Sequence, residues 1–341
     1  MQRCINYNSA MKMAAHLRNY FESVWYGGRG APILLLPFSW LFALLTGIRR
    51  SLYRVGILRR PLLPVPVIVV GNINVGGTGK TPVVVWLAQQ LRSAGYSPGI
   101  VSRGYGAVNS RIARLVESED ATVYGDEPVL LSMLTECPVC IAADRVSAVE
   151  RVAREGVNIV ISDDGLQHYR MRRDAEIVVV DAERGFGNGQ LMPAGPLRES
   201  VGRVSLADAV AVNGSSSDIE GCSFDLIPAD AVSLAAGARK PLPEFAGQRV
   251  WVVAGIGNPG RFARVLEAAG LQVDVTELPD HGTISLDDLV ARRSQPIFMT
   301  QKDAVKYPDC VLAEVWYVPV EAVFSQADAE QLLNLAIRAC D

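Results

Sequence analysis

One segment constrains the fold more than any other: GNINVGGTGKTP at residues 71–82, which follows the apolar run 65–70 and precedes a helical pattern beginning near Pro82. Strand, glycine loop and helix in that order turn backbone N–H groups and a helix N-terminus toward phosphate. In such a loop Lys80 neutralises the outer phosphates of a nucleotide, and the Thr81 hydroxyl is a ligand for Mg²⁺. Asn74, Val75, Gly76, Gly77, Thr78, Gly79, Lys80 and Thr81 are therefore expected to line a nucleotide site. The pattern GxxxxGK(S/T) asks for glycine where this chain has Asn74. Asn tolerates positive φ better than most residues, so a left-handed Asn74 is expected to let the loop close.

With 341 residues and 49% hydrophobic content, the chain can supply cores to two domains. A formal net charge of −3 gives no reason to expect a nucleic-acid partner. Among six cysteines only Cys137 and Cys140 have ligand-like spacing. With no second pair or nearby His, they read as thiols beside a buried strand in a reducing compartment.

From Ala31 to Ile48 no charged residue occurs, and Arg49, Arg50, Arg54, Arg59 and Arg60 follow. At about 18 residues this run is at the lower limit for crossing a bilayer, and Pro37 and Gly47 weaken it as a straight helix. It lacks the layout of a signal peptide. The favoured expectation is a helix or hairpin lying in the membrane interface, its arginines on the cytoplasmic side against anionic headgroups. A full span and a helix buried against the protein are the alternatives.

Beyond the loop, helical patterns at 81–95, 127–134, 145–155 and 261–269 alternate with apolar runs at 98–102, 139–142, 158–162, 177–180, 209–212, 249–254, 296–299 and 315–318. This alternation predicts an α/β fold, a P-loop NTPase-like mostly parallel sheet with a second, smaller α/β lobe. The boundaries expected are an N-terminal apolar and basic segment over 1–61, a P-loop core over 62–228, and a C-terminal lobe over 229–341 closing over a cleft.

A P-loop needs an acid at the end of a neighbouring strand, and Asp163 and Asp164 follow the run 157–162. Asp126, in GDEP at 125–128, reads equally as a helix N-cap and as a catalytic base. His281 stands on a loop of the second lobe, where closure of the cleft can bring it to Asp126 as a carboxylate–imidazole pair. His16 and His168 are weaker candidates. Arg103, Arg145 and Arg198 lie in glycine- or proline-shaped loops suited to gripping phosphate or to forming salt bridges. Lys302 either answers Asp303 locally or lines the cleft.

Taken in order, GNINVGGTGKTP, SRGYG at 102–106, GDEP, DDGLQH at 163–168, PAGPLRE at 193–199, AGIGNPGRF at 254–262, PDH at 279–281 and TQKDAVK at 300–306 resemble the tetraacyldisaccharide 4′-kinase family of lipid A biosynthesis. The resemblance implies transfer of the γ-phosphoryl group of ATP to the 4′-hydroxyl of an acylated glucosamine disaccharide 1-phosphate, giving lipid IVA. It implies a monomer at the cytoplasmic face of a bacterial inner membrane, in contact with membrane lipid and using ATP and Mg²⁺. By motif position, Lys80 would hold the β- and γ-phosphates, and Thr81, Asp163, Asp164 and Glu199 would organise the metal. Asp126 would act as base, tuned by His281, while Tyr105, Arg145 and Arg198 would orient the disaccharide. Two positions depart from the family pattern: Gly282 and Ile284 replace a second His and an aromatic, and Gln301 replaces a Glu. A switch ATPase of the cell-division type is the runner-up, but it would carry a lysine where this chain has Val75. A lipid-binding scaffold without turnover is a third reading, disfavoured by the intact Lys80, Thr81, Asp163 and Asp164.

Overall fold

The computed structural model describes residues 20–28, 30–216, 218–278 and 282–340. Strands β1 (Val67–Gly71), β2 (Pro98–Ser102), β3 (Arg114–Leu115), β4 (Val139–Ile141), β5 (Ile159–Asp163), β6 (Ala175–Asp181), β7 (Ala209–Asn213) and β8 (Cys222–Pro228) belong to a first sheet. A second sheet contains β9 (Ala231–Ser233), β10 (Arg239–Lys240), β11 (Arg249–Ala254), β12 (Gln272–Glu277), β13 (Ile297–Thr300) and β14 (Val315–Val318). The chain then returns, and β15 (Val320–Phe324) closes one edge of the first sheet.

The first sheet runs β15-β8-β7-β6-β1-β5-β2-β4-β3. Its interior pairs are all parallel, and only the edge strands β3 and β15 run antiparallel. Central strands this apolar fit a sheet covered on both faces. β1, β2, β4 and β5 are buried along their whole length. Because β5 lies on one side of β1 and β6 on the other, the chain reverses its strand order at β1. The crevice beyond the carboxyl ends of such strands is where ligands bind in open α/β sheets. The P-loop leaves β1 at that point.

The segment 229–341, expected to form one lobe, divides between the two sheets. β15 pairs with β8, and the terminal helix Gln326–Arg338 packs against β8 and the helix Lys80–Ser93. That helix buries Leu332 and Ala336 in the same core as Trp86, Phe224 and Leu87. Its short apolar stripe finds cover on the first lobe, so the second lobe by sheet membership is 231–318. The two crossings between lobes touch: Ala229 N–H donates to the Pro319 carbonyl at 2.9 Å.

Before β1, the segment Leu36–Arg54 is a helix of 19 residues led in by a 3₁₀ turn at Ile33–Leu35. Pro37 does not break it because it falls in the first turn, where no intrahelical N–H bond is lost. Ile33, Leu34, Phe38, Trp40, Leu41, Leu44, Leu45 and Ile48 are exposed, and Ser39 alone in this helix is buried. The alternative of a helix buried against the protein is thereby overturned. By length and composition the segment could also cross a membrane.

Candidate active site

The P-loop closes differently from expectation. Positive φ falls on Gly76 (110°) and Gly79 (96°), while Asn74 is not left-handed. Asn74 instead bridges to Leu197, and its buried amide donates to the Gly185 carbonyl at 2.9 Å. Val75 N–H donates to Pro196 O, and Arg198 N–H donates to Ile73 O. The PAGPLRE loop thus forms the back wall of the P-loop, so a side chain with a hydrogen-bonding tip serves at position 74. Inside the loop, Asn72 donates to the Thr78 hydroxyl at 3.2 Å and Asn213 donates to the Thr78 carbonyl at 3.2 Å. Lys80 opens the following helix, with Gly79 as its cap.

Asp164 stands at positive φ (50°) directly after β5. Its carboxylate lies 3.7 Å from Lys80 Nζ and accepts from Arg198 Nη1 at 2.9 Å. Burial alone would raise its pKa, but Lys80 and Arg198 hold it well below the usual carboxylate range. Asp163 behaves oppositely. Burial and the charges of Glu127 and Asp164 push it up to about 7, against the opposing pull of Lys80 and Arg145. Adjacent carboxylates are thus driven apart, one ionised and one able to keep a proton near neutrality.

Around Asp163 several buried polar atoms have no hydrogen-bond partner among the described residues: its own Oδ1, Asn72 Oδ1, Ser162 Oγ and Arg145 Nε. Buried polar groups are normally paired, so this concentration fits a site that takes polar ligands such as a hydrated cation. Among the described residues no group of three His, Cys, Asp or Glu forms a metal cage. A hydroxyl and a carboxylate that share the ion with phosphate oxygens need none.

The other expected site residues divide. Glu199 is buried, and its oxygens accept from Gln167 (2.9 Å) and Tyr169 (2.7 Å), with Arg203 at 3.4 Å. That leaves at most about one of a carboxylate's four acceptor positions for a metal. Arg145, expected to grip substrate, is 1% exposed and donates to the carbonyls of Ala142 and Asp163. It fixes the end of β5, and burial lowers its pKa to about 10. Arg198, also expected on the substrate, is spent on Asp164. Tyr105 remains at the rim, 61% exposed. His168 is kept neutral, its pKa lowered to about 4 by burial and by Arg145, Arg103 and other arginines.

Asp126 is the first residue of the helix Asp126–Thr135, not its cap, and its Oδ1 accepts the Glu127 N–H at 3.0 Å. Lys306 Nζ from the second lobe lies 3.7 Å from Asp126 and also binds Asp303 at 2.7 Å and the Gly282 carbonyl at 3.0 Å. Lys302 reaches across to Glu127 at 2.8 Å, which resolves its two readings in favour of the cleft. His281, like His16, lies outside the described residues. Within the described residues, Tyr307 OH donates to the Ile284 carbonyl and accepts the Ile284 N–H, so these contacts fix Ile284, which stands where the family pattern has an aromatic.

Sequence reading missed the residues that join the lobes at the P-loop. Arg261 donates to Asp181 (3.2 Å) and Asn213 (2.9 Å), and Arg184 donates to the Gly257 carbonyl (3.1 Å). Gly257 approaches so closely that a Cβ there would fall 2.5 Å from Gly77 N. Asp181 and Asn213 end β6 and β7. Their place at the carboxyl ends of parallel strands was the signal that could have found them. Cys137 and Cys140 are buried free thiols, and burial pushes Cys140 up to about 11.

Residues 31–338 match the family described as tetraacyldisaccharide-1-P 4′-kinase. The tetraacyldisaccharide 4′-kinase of Methylobacillus flagellatus is 45% identical over 324 residues, covering 94% of this chain and 97% of its own. That of Halorhodospira halophila is 48% identical over 291 residues, covering 84% and 88%. Among solved structures, LpxK from Aquifex aeolicus in complex with ATP superposes with a TM-score of 0.72 at 27% identity, covering 90% of this chain and 98% of its own.

Proposed function

The chain belongs to the tetraacyldisaccharide 4′-kinase family, and from that premise we propose how its residues carry out the transfer. The activity is phosphorylation of the 4′-hydroxyl of tetraacyldisaccharide 1-phosphate by ATP, a step of lipid A biosynthesis. Phosphoryl transfer asks little covalent chemistry of a protein and much positioning and charge neutralisation. Lys80 and the N–H groups of Gly76–Lys80 hold the β- and γ-phosphates. Asp164 and Arg198 keep the Lys80 ammonium aimed at the loop mouth. Thr81 and Asp163 would hold Mg²⁺, with Glu199 as a further ligand through its remaining acceptor position. The ion would neutralise charge developing on the phosphoryl oxygens.

Asp126 takes the proton of the attacking 4′-hydroxyl. Lys306 holds its carboxylate from across the cleft, and His281 is the imidazole the family resemblance pairs with it. Tyr105 contacts the disaccharide at the rim. The observation that carries this assignment is geometric: Lys306 Nζ from the second lobe lies 3.7 Å from Asp126, and Lys302 Nζ lies 2.8 Å from the neighbouring Glu127. The base-bearing helix therefore lies where the two lobes meet. The exposed apolar helix Leu36–Arg54 rests in the cytoplasmic interface of the inner membrane and presents a monomeric enzyme to its lipid.

The test is incubation of purified protein with labelled ATP, Mg²⁺ and the acylated disaccharide 1-phosphate in detergent. A labelled bisphosphorylated lipid is expected from the wild type and none from Lys80→Ala. ATP consumption without labelled lipid would favour a switch ATPase. Deleting residues before Pro61 should abolish partitioning to vesicles, and unchanged partitioning would refute the anchor.

A further inference from the structure

The apolar helix is wired into the nucleotide site. At its C-terminal end, the Tyr53 ring packs on Tyr169 with centroids 6.3 Å apart, and the Arg49 guanidinium lies 5.9 Å over the same ring. The Tyr169 hydroxyl donates to Glu199 Oε2 at 2.7 Å. Glu199 Oε1 accepts from Gln167 Nε2 at 2.9 Å, and Gln167 Nε2 also reaches the Asn72 carbonyl, where β1 enters the P-loop. Gln167 Oε1 stands 3.5 Å from Arg198 Nη1, which binds Asp164, which faces Lys80. Near the helix's other end, the buried Ser39 hydroxyl donates to Leu191 O at 2.8 Å and accepts the Ala194 N–H at 3.0 Å. Ala194 belongs to the loop that forms the back wall of the P-loop, and Leu191 bridges to Leu197 within it.

We propose that Tyr169 is a positioning residue through which the seating of the helix Leu36–Arg54 sets the Asp164–Lys80 geometry, so that turnover depends on the helix beyond its hold on lipid. The proposal rests on the assignment of Lys80 and Asp164 above. Every link from Tyr169 to Asp164 is a hydrogen bond among buried or half-buried groups, and such networks act as units when their members are fully engaged. Glu199 is central. It is a buried carboxylate, and without the Tyr169 hydroxyl its remaining partners among the described residues would be Gln167 and Arg203. Its rotation would release Gln167 and, through it, Arg198. Exposed apolar side chains on the helix mean that its seating differs between a lipid interface and water, so the relay ties phosphate handling to the interface where the acceptor is found.

The experiment uses the full chain with acylated disaccharide 1-phosphate in detergent micelles. Tyr169→Phe keeps the ring under Arg49 and Tyr53 but removes the hydroxyl. Expected is a fall in kcat of about tenfold with the lipid KM within about twofold, and a double variant with Gln167→Ala no worse than the poorer single. Tyr53→Ala, remote from the nucleotide, should lower kcat by about threefold, with unchanged flotation on phosphatidylethanolamine–phosphatidylglycerol vesicles. A purely structural role would lower the melting temperature and leave the kcat of folded enzyme intact. Wild-type kcat in folded Tyr169→Phe, or losses that multiply independently with Gln167→Ala, overturns the proposal. If Tyr169→Phe does not fold, Tyr53→Ala decides alone, an unchanged kcat being the refuting result. Lys80→Ala in the same assay separates the two levels, since persistent turnover there sinks the underlying site assignment and not the relay specifically.

Discussion

The two halves of the site are built on different principles. On the nucleotide side, the phosphate loop, Asp163, Asp164 and Arg198 all come from the first sheet and its loops, and several of their hydrogen bonds are made to neighbours within that lobe. On the acceptor side, Asp126 and Glu127 also stand on the first lobe, yet Lys306 and Lys302, which face them, arrive from the second. The contrast teaches where rigidity is needed. In the proposed assignment the phosphate-binding residues draw most of their partners from one lobe, whereas the proposed base, Asp126, meets Lys306 of the other. The Gly257–Gly77 approach and the Arg261 bridge hold the lobes close in this structure.

The comparison can be broken in several places. Lys80→Ala should cause the largest loss, about 10³-fold in kcat/KM, because it removes the charge aimed at the transferring group. Steady-state kinetics with labelled ATP checks this, and a loss under tenfold would mean that the nucleotide half is not arranged around this lysine. Asp126→Ala should cost about 10²-fold in kcat, with His281→Ala smaller and the double variant less than additive, as for residues that act as a unit. Fully additive losses would argue against the pair.

Gly257→Ala tests the contact between the halves. The new Cβ would meet Gly77 N at 2.5 Å, so the lobes must part or the loop must shift. The ATP KM should rise about tenfold while the protein stays folded, read by kinetics alongside circular dichroism. Asp163 sharpens the comparison by pH. Its folded pKa of about 7 lies above the ordinary aspartate value, so the native state binds more protons than the unfolded chain between those limits. Stability should therefore fall as pH rises from about 4 to about 7 and level off above that. Asp163→Asn should flatten this dependence in melting experiments without Mg²⁺, and an equally steep variant curve would refute the assignment. Smallest of all, Lys302→Ala removes a partly exposed pair with Glu127 and should change kcat by about twofold at most.

Much of this molecule was legible in its residues. The loop at 71–82, the strands at 98–102 and 315–318, and the acids after β5 follow from local pattern, because burial on both faces forces continuous apolar runs and phosphate binding forces glycine. β15 and the terminal helix were missed by the sequence reading. Their membership in the first sheet reflects which exposed strand edge and helix face remained to be covered, a choice made by the whole fold. The same limit applied to Arg145 and Arg198. Their motifs suggested phosphate grips, but the register of β5 and the PAGPLRE loop brought carbonyls and Asp164 within their reach first.

By itself the sequence determined that a glycine loop carrying Lys80 and Thr81 would follow β1, and that an apolar helix with arginines behind it would precede that loop. Tertiary structure decided that Asn74 serves as a tether to Gly185 in place of a left-handed hinge, that Lys306 and Arg261 cross between lobes, and that Tyr169 joins the helix to Glu199. The reason is physical. Periodicity and turn chemistry act over a few neighbours along the chain, while these pairings unite residues far apart in sequence, Asn74 with Gly185 within the first lobe and Lys306 with Asp126 across the two, and exist only once the chain has folded.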